Sequence, residues 1–313
     1  MNGTVYKSTG SWYTVKSKDG EFYECRIKGK FRTKGIKSTN PVAVGDHVEF
    51  DLETIGDETV GVISEIGERK NYIIRKSVKL SKQTHIIASN LDQVFLLVTL
   101  NNPMTFTSFI DRFLVTAEAY DIPVVLLFNK MDTYTDAEQE EVAYLVDLYS
   151  HIGYTCIRLE AKTGKNVDKV KELMLGKTSM FAGHSGVGKS TLVNALEPGL
   201  QLKTAEISEQ HLQGQHTTTF AEMYDLSFDA QIIDTPGIKG FGIVDMDKEE
   251  IGDYFPEFFE LKSQCKFNNC LHLDEPKCAV KEALENGEVA WSRYRSYVQM
   301  LTGEEDNPYR ERS

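Results

Sequence analysis

No apolar run in this 313-residue chain comes near the ~20 residues that a membrane helix needs. Its longer apolar stretches, such as Val94–Val98 and Pro123–Phe128, are only a fraction of that. The first residues, Met1-Asn2-Gly3-Thr4, lack the charged-then-apolar pattern of an export signal. There is no internal repeat and no low-complexity stretch. Cysteine is scarce, at five residues, and three of them, Cys265, Cys270 and Cys278, fall within 14 positions. In a cytosolic chain such crowding favours a metal over a disulfide. These absences point to a soluble, cytoplasmic protein with no membrane partner.

An apolar fraction of 41% is ample for a packed interior, and the length suits two or three domains. The net charge of −12 argues against a nucleic-acid partner until it is divided along the chain. Residues 1–80 carry 14 Lys/Arg against 11 Asp/Glu, a balance of +3, so the remainder carries −15. A mildly basic N-terminal part precedes an acidic body.

The N-terminal part reads as short strands. Trp12–Val15 is β-prone, Asp19-Gly20 signals a hairpin, and Glu21–Phe31 alternates until Lys34-Gly35 breaks it. Val42–Phe50 and Thr59–Ile66 follow, for about five strands, the count of a small barrel of the oligonucleotide-binding (OB) type. Arg26, Lys28, Lys30, Arg32 and Lys34 recur at every second position and so share one face of a strand, with Ile27 and Phe31 turned into the barrel. A line of five cations suits a phosphate backbone, which makes these residues the candidate RNA contacts. The bland alternative is a solvated strand edge, followed by a charged linker carrying Arg69, Lys70, Arg75, Lys76, Lys79 and Lys82.

From about residue 90, strands and helices alternate: a strand at Asp92–Leu100, a helix at Ser108–Tyr120 and a strand at Pro123–Phe128. A helix from Asp136 follows, with Val142, Leu145, Val146 and Tyr149 on one stripe, then a strand at Ser179–Ala182. Such alternation implies a mostly parallel sheet covered on both faces.

Four motifs lie on this frame. Gly183-His184-Ser185-Gly186-Val187-Gly188-Lys189-Ser190 fits the phosphate-loop pattern between a strand and a helix. Its glycines let backbone N–H groups converge on phosphates, Lys189 supplies a charge at the β/γ-phosphates, Ser190 offers a hydroxyl to Mg²⁺, and Thr191 follows on the helix. Asp234-Thr235-Pro236-Gly237 ends a strand, with Asp234 placed for Mg²⁺ and the Gly237 N–H for a γ-phosphate. Asn129-Lys130-Met131-Asp132 offers, in Asp132, a carboxylate that accepts from guanine N1–H and the exocyclic amine. Adenine would leave that carboxylate unpaired. In Glu160-Ala161-Lys162, the Ala161 N–H can donate to guanine O6 and Lys162 can pack on the base. The base-reading half precedes the phosphate-reading half, whereas in ordinary small GTPases the phosphate loop leads. This order describes a circularly permuted GTPase domain.

Residues 204–219 occupy the place of a first switch and end in His216-Thr217-Thr218-Thr219, where Thr218 is the candidate Mg²⁺ ligand. The position after Gly237, often a water-orienting glutamine, is Ile238, which predicts slow intrinsic hydrolysis and makes His216 the candidate catalytic replacement. Cys265, Cys270, His272 and Cys278 offer three thiolates and an imidazole, a set suited to one structural, tetrahedral Zn²⁺. Two helices, Cys278–Asn286 and Glu288–Leu301, follow, with Trp291, Tyr294 and Tyr297 read as core aromatics.

The combination of these motifs resembles the circularly permuted, small-subunit-dependent GTPases of bacteria, the ribosome small subunit biogenesis GTPase A family, over essentially the whole chain. The resemblance implies an OB-type RNA-binding barrel at 1–70, a permuted GTPase domain at 71–245 and a zinc-binding, helical domain at 246–313. It implies a late assembly factor of the small (30S) ribosomal subunit that binds rRNA near the decoding region and whose GTP hydrolysis the subunit stimulates. Zinc on Cys265, Cys270, His272 and Cys278, Mg²⁺ with GTP or GDP, and a hydrophobic residue at the position of Ile238 belong to the same pattern. Three competing readings are a large-subunit assembly GTPase, an RNA-binding factor whose nucleotide site mainly stabilises the fold, and a signalling GTPase without RNA. A monomer is expected because one chain holds every module.

Overall fold

The structure is a computed structural model that describes residues 1–28, 41–56, 58–76, 84–200, 221–234 and 246–303. Lys30, Arg32, Lys34, Lys79, Lys82, His216, Thr218, Gly237 and Ile238 lie outside the described residues.

Strands β1 (Asn2–Ser8), β2 (Tyr13–Ser17), β3 (Phe22–Ile27), β4 (His47–Ile55) and β5 (Glu58–Ile66) close a barrel in the order β1-β2-β3-β5-β4, with β4 returning to β1. Only the β3–β5 contact is parallel. Period-two alternation drives the closure. Tyr13, Val15 and Cys25 turn inward with Val5, Val48, Phe50 and Ile63, while Thr14 and Lys16 face out. Gly61 is needed because a Cβ there would sit 2.3 Å from the Cys25 sulfur. Burial pushes the Cys25 thiol up to about 12, with help from Glu24, so it behaves as an apolar filler.

Strand β1 carries no strong sequence signal and was not among the expected strands, yet it joins the barrel to the rest of the protein. The expected strand from Val42 begins instead at His47. Gly45 turns with φ +94°, and its missing Cβ leaves room for the Ser89 carbonyl. Asp46, wholly buried in that turn, takes Nε of Arg69 at 2.6 Å and the Ser89 hydroxyl at 2.6 Å. Lys70 pairs with Asp92. These two cations of the supposed linker are therefore neutralised, and the segment after them forms a hairpin of β6 (Tyr72–Lys76) and β7 (Thr84–Ser89).

A second set of strands follows: β8 (Gln93–Val98), β9 (Val124–Phe128), β10 (Thr155–Arg158), β11 (Thr178–Ala182), β12 (Glu222–Leu226) and β13 (Ala230–Asp234). They lie in the order β10-β9-β8-β11-β13-β12, all parallel except β12. Val94, Leu96 and Val98 enter one core with α1 (Thr107–Ala119) and α2 (Asp136–Ile152). Phe95 and Leu97, pointing the other way, enter a second core with α3 (Val167–Met174) and α4 (Lys189–Leu196). A strand buried on both faces reads as a continuous apolar run, as β8 and β9 do. Strand β11 sits at the centre although three strands of its sheet precede it in the chain, which is the permutation expressed as topology. The barrel continues this sheet, because Lys7 of β1 pairs with Glu222 of β12. Tyr6 donates to Asp225 at 2.7 Å, and Lys16 pairs with the same carboxylate.

Helices α5 (Lys248–Ile251), α6 (Pro256–Lys262), α7 (Ala279–Glu285) and α8 (Trp291–Thr302) build a third core around Phe255, Phe258, Tyr294 and Tyr297, and Val115 of α1 joins it. Tyr294 and Tyr297 are core residues as expected. Trp291, at the first turn of α8, is instead 66% exposed. Among the described residues no helix is long and apolar enough to cross a membrane.

Candidate nucleotide site and metal centre

The carboxyl ends of β8, β9 and β11 meet where a doubly wound sheet leaves a crevice, and three of the sequence motifs converge there. The phosphate loop leaves β11 and enters α4 through Gly183, Gly186 and Gly188, all at positive φ. Close approach matters as much as φ. A Cβ at Gly183 would lie 2.6 Å from the Leu97 carbonyl oxygen, and one at Gly188 2.3 Å from Nδ2 of Asn129. Helix α4 starts without a capping side chain, so its first N–H groups are available to an anion. The Lys189 ammonium folds back to donate to the Gly183 and His184 carbonyls, each at 2.8 Å. Burial pushes Lys189 down to about 8, against the opposite pull of Asp234 at the end of β13.

Asn129 ties the motifs together. Buried, it donates from Nδ2 to the Val187 carbonyl at 2.8 Å, and its Oδ1 accepts the Ala161 N–H at 3.0 Å. One amide thus links the phosphate loop to both base-side loops. The Ala161 N–H, expected to read guanine O6, is already engaged, so a base would share that proton with Asn129. Lys130 turns at φ +67° and donates to the Asn102 carbonyl. Asp132 lies in the following turn, Met131–Thr133, with its carboxylate exposed, and Lys162 and Thr191 are exposed as well. Glu160 accepts from Lys165 and Thr163, both at 2.8 Å, and these bonds hold its carboxyl below the usual range.

Sequence reasoning missed two supports. Tyr134, buried, donates to the Asn129 carbonyl and accepts the Leu100 N–H, each at 2.9 Å, which fixes the loop from below. Phe109 of α1 lies on the ring of His184, with centroids 4.0 Å apart. Neither belongs to a local motif; each is brought in by the packing of a neighbouring helix or turn. On the barrel, Arg26 and Lys28 are exposed as alternation requires, and Arg26 pairs with Glu53 at 3.1 Å.

In the C-terminal unit the donor atoms of Cys265, Cys270, His272 and Cys278 lie within 4.8 Å of one another. His272 turns Nδ1 toward the sulfurs of Cys278 at 3.3 Å and Cys265 at 3.7 Å. A tetrahedral zinc with sulfur at ~2.3 Å has donor–donor edges of roughly 3.8 Å, so the set fits such an ion. The protein shell is also built. Tyr294 and Tyr297 donate to the His272 and Leu271 carbonyls at 2.7 Å, and Glu275 accepts the Leu271 and Leu273 N–H groups at 2.8 Å. Burial by itself pushes the Cys270 thiol up to about 12; a bound dication would reverse that sign. The cluster could hold a metal ion.

Against known proteins, the RsgA GTPase family model matches residues 66–244, and that of the RsgA N-terminal domain residues 2–63. The chain is 74% identical over 307 residues to the small ribosomal subunit biogenesis GTPase RsgA of Christiangramia forsetii, covering 98% of both proteins. It is 56% identical over 310 residues to the protein of that name in Bacteroides fragilis strain NCTC 9343, covering 99% of both. The crystal structure of YjeQ from Thermotoga maritima superposes with a TM-score of 0.78 at 39% identity, over 96% of this chain and 97% of that one. YloQ, a circularly permuted GTPase, does so at 0.73 and 31%, over 96% of this chain and 94% of that one. The chain belongs to the RsgA GTPase family.

Proposed function

We propose that this protein is a GTPase of small ribosomal subunit biogenesis, the role carried in the names of its relatives. The observation that carries the reading is the convergence of the phosphate loop, Asn129–Asp132 and Glu160–Lys162 on one buried amide, Asn129. In this reading Asp132 selects guanine, the loop from Gly183 to Ser190 and the start of α4 hold the phosphates, and Ser190, Asp234 and Thr218 hold Mg²⁺. A metal held there would supply positive charge against the β- and γ-phosphates. His216 stands in for the glutamine that Ile238 replaces and orients the attacking water. The Cys265–Cys278 cluster holds structural zinc. Arg26, Lys28, Lys30, Arg32 and Lys34 face rRNA. The units divide at 1–70, 71–245 and 246–313, and the protein works as a cytoplasmic monomer without a membrane partner.

The test is GTP hydrolysis by the purified chain alone, with small subunits and with large subunits. Slow turnover alone and a rise of more than tenfold with small subunits only is the expected result. No response to either subunit overturns the assembly role. Lys189→Ala separates a working nucleotide site from a structural one, because a structural site leaves subunit maturation intact in a folded variant.

Nucleotide binding also has a proton signature. The free Lys189 is depressed to about 8, and phosphates favour its charged form. Affinity is therefore full below that value and falls as pH rises through it. At pH 8 binding takes up about half a proton. Titration calorimetry in buffers of different ionisation enthalpy measures this, and zero uptake at pH 8 refutes it.

A further inference from the structure

Helix α1 is gripped from two sides within three residues. Phe109 lays its ring on His184, centroids 4.0 Å apart and planes inclined at 34°. Asp111, two residues on and so ~200° round the helix, faces the other way. There it accepts from Arg293 Nη1 of α8 at 2.8 Å and from Tyr149 of α2 at 2.8 Å. The Asp111 and Arg293 side chains have no exposed surface. The other edge of the guanidinium is held by Glu257 of α6, through Nε at 2.7 Å and Nη2 at 3.1 Å, and Phe255 lies 4.5 Å from it. One turn after Asp111, Val115 is built into the C-terminal core.

This ionic node fixes geometry. A buried guanidinium between two carboxylates tolerates little displacement, because any partner that withdraws leaves an uncompensated charge. The first turn of α1 has neither a capping side chain nor an acidic residue of its own. Its position is therefore set by what packs against it. What packs on its other side is the phosphate loop. The His184 that meets Phe109 also supplies one of the two carbonyls that hold Lys189. The ring that meets Phe109 and the carbonyl on which the lysine rests thus belong to one loop residue, so a displacement of its backbone moves both.

We propose that Phe109 is a positioning residue for the phosphate loop, through which the seat of the C-terminal unit on α1, fixed by Asp111, Arg293 and Glu257, sets how tightly the loop grips its nucleotide. The inference rests on the reading of Gly183–Ser190 as the nucleotide site. It makes the C-terminal unit a part of nucleotide affinity at a distance from any phosphate, by way of two rings and one helical turn.

The experiment is a titration of the full chain with a fluorescent GDP derivative, for the unaltered protein, Phe109→Ala, Phe109→Tyr, Glu257→Gln and the Phe109→Ala/Glu257→Gln pair. Glu257→Gln perturbs the node at its most accessible member and keeps a hydrogen-bonding group there, whereas loss of Arg293 strands two carboxylates and endangers folding. The expected result is GDP binding weakened about three- to tenfold by Phe109→Ala, the scale of one aromatic contact. Phe109→Tyr, which keeps the ring, restores it. Glu257→Gln weakens binding about twofold to threefold, and adds nothing once Phe109 is gone, the non-additivity that marks coupled sites. No GDP binding by the unaltered chain overturns the nucleotide-site reading itself. Normal GDP binding by that chain with unchanged affinity in Phe109→Ala overturns the inference alone. Independent, additive losses in the double variant overturn the link to the C-terminal unit.

Discussion

Asn129→Ala is expected to weaken guanine-nucleotide binding at least ~100-fold and to destabilise the protein by ~2–6 kcal/mol. The side chain is buried, and both ends of its amide are in use, one on the Val187 carbonyl and the other on the Ala161 N–H. Alanine leaves those two backbone groups without partners in a space too confined for bulk water, at ~1–3 kcal/mol each. It also releases the phosphate loop from the base-side loops, so nucleotide binding must then restore their alignment. Asn129→Asp is expected to do little better, since it keeps the acceptor for Ala161 but turns a carboxylate on the Val187 carbonyl. Equilibrium titration with a fluorescent guanine nucleotide, with thermal unfolding of the same variants, measures both effects. An affinity within threefold of the unaltered protein would sink the idea that this amide unites the site.

With zinc on the Cys265–Cys278 cluster, as proposed, its removal is expected to have the largest effect on the C-terminal unit. Cys270, His272 and Cys278 are buried beside Phe258, Tyr294 and Tyr297, so an ion held by them and the apolar packing would form together. Zinc bound by such a set contributes ~10–16 kcal/mol in small domains, more than the net stability of most proteins. Cys278→Ser or a strong chelator is therefore expected to melt this unit well below the rest, seen as an early separate transition on heating. The pH dependence has a definite sign. Coordination keeps the thiols ionised, so their bound values lie below the free ones, and the stabilisation is present at neutral pH and lost on acidification. A purified chain that carries no zinc, or a Cys278→Ser variant that melts like the unaltered protein, would show that the four residues are only packed together.

The two predictions draw on residues of different legibility. Gly183–Ser190 and Asn129–Asp132 could be read because each is a contiguous motif whose chemistry needs those residues side by side. The continuous apolar run of β8 and the stripe on α2 were equally plain, because a strand buried on both faces or a helix buried on one writes that burial into the chain. Strand β1 was missed because its edge is satisfied by β12, which lies far away in sequence. The ionic node was missed for the same reason. Arg293 sits among aromatics on an amphipathic helix, and nothing nearby announces that Asp111, 182 positions earlier, will neutralise it. Arg69 misled by composition, since a cation in a basic segment looks solvated until a buried Asp46 is found beside it.

The seam between β1 and β12 sets a timetable for synthesis. The first three residues of β1 can pair with β4 as soon as the barrel has emerged, but Lys7 waits for Glu222, 215 positions later. The last barrel strand ends at Ile66, 156 residues before Glu222, and at ~5–20 residues per second that interval is roughly 8–30 s. During it the outer half of β1 is an open edge on an already folded barrel, available to any other strand in the cell. Lys7, whose ammonium ends 3.3 Å from Glu222 in the finished protein, is the charge that guards this edge in the meantime. The residue that closes the seam is thus also the one that keeps the nascent chain from closing it with a stranger.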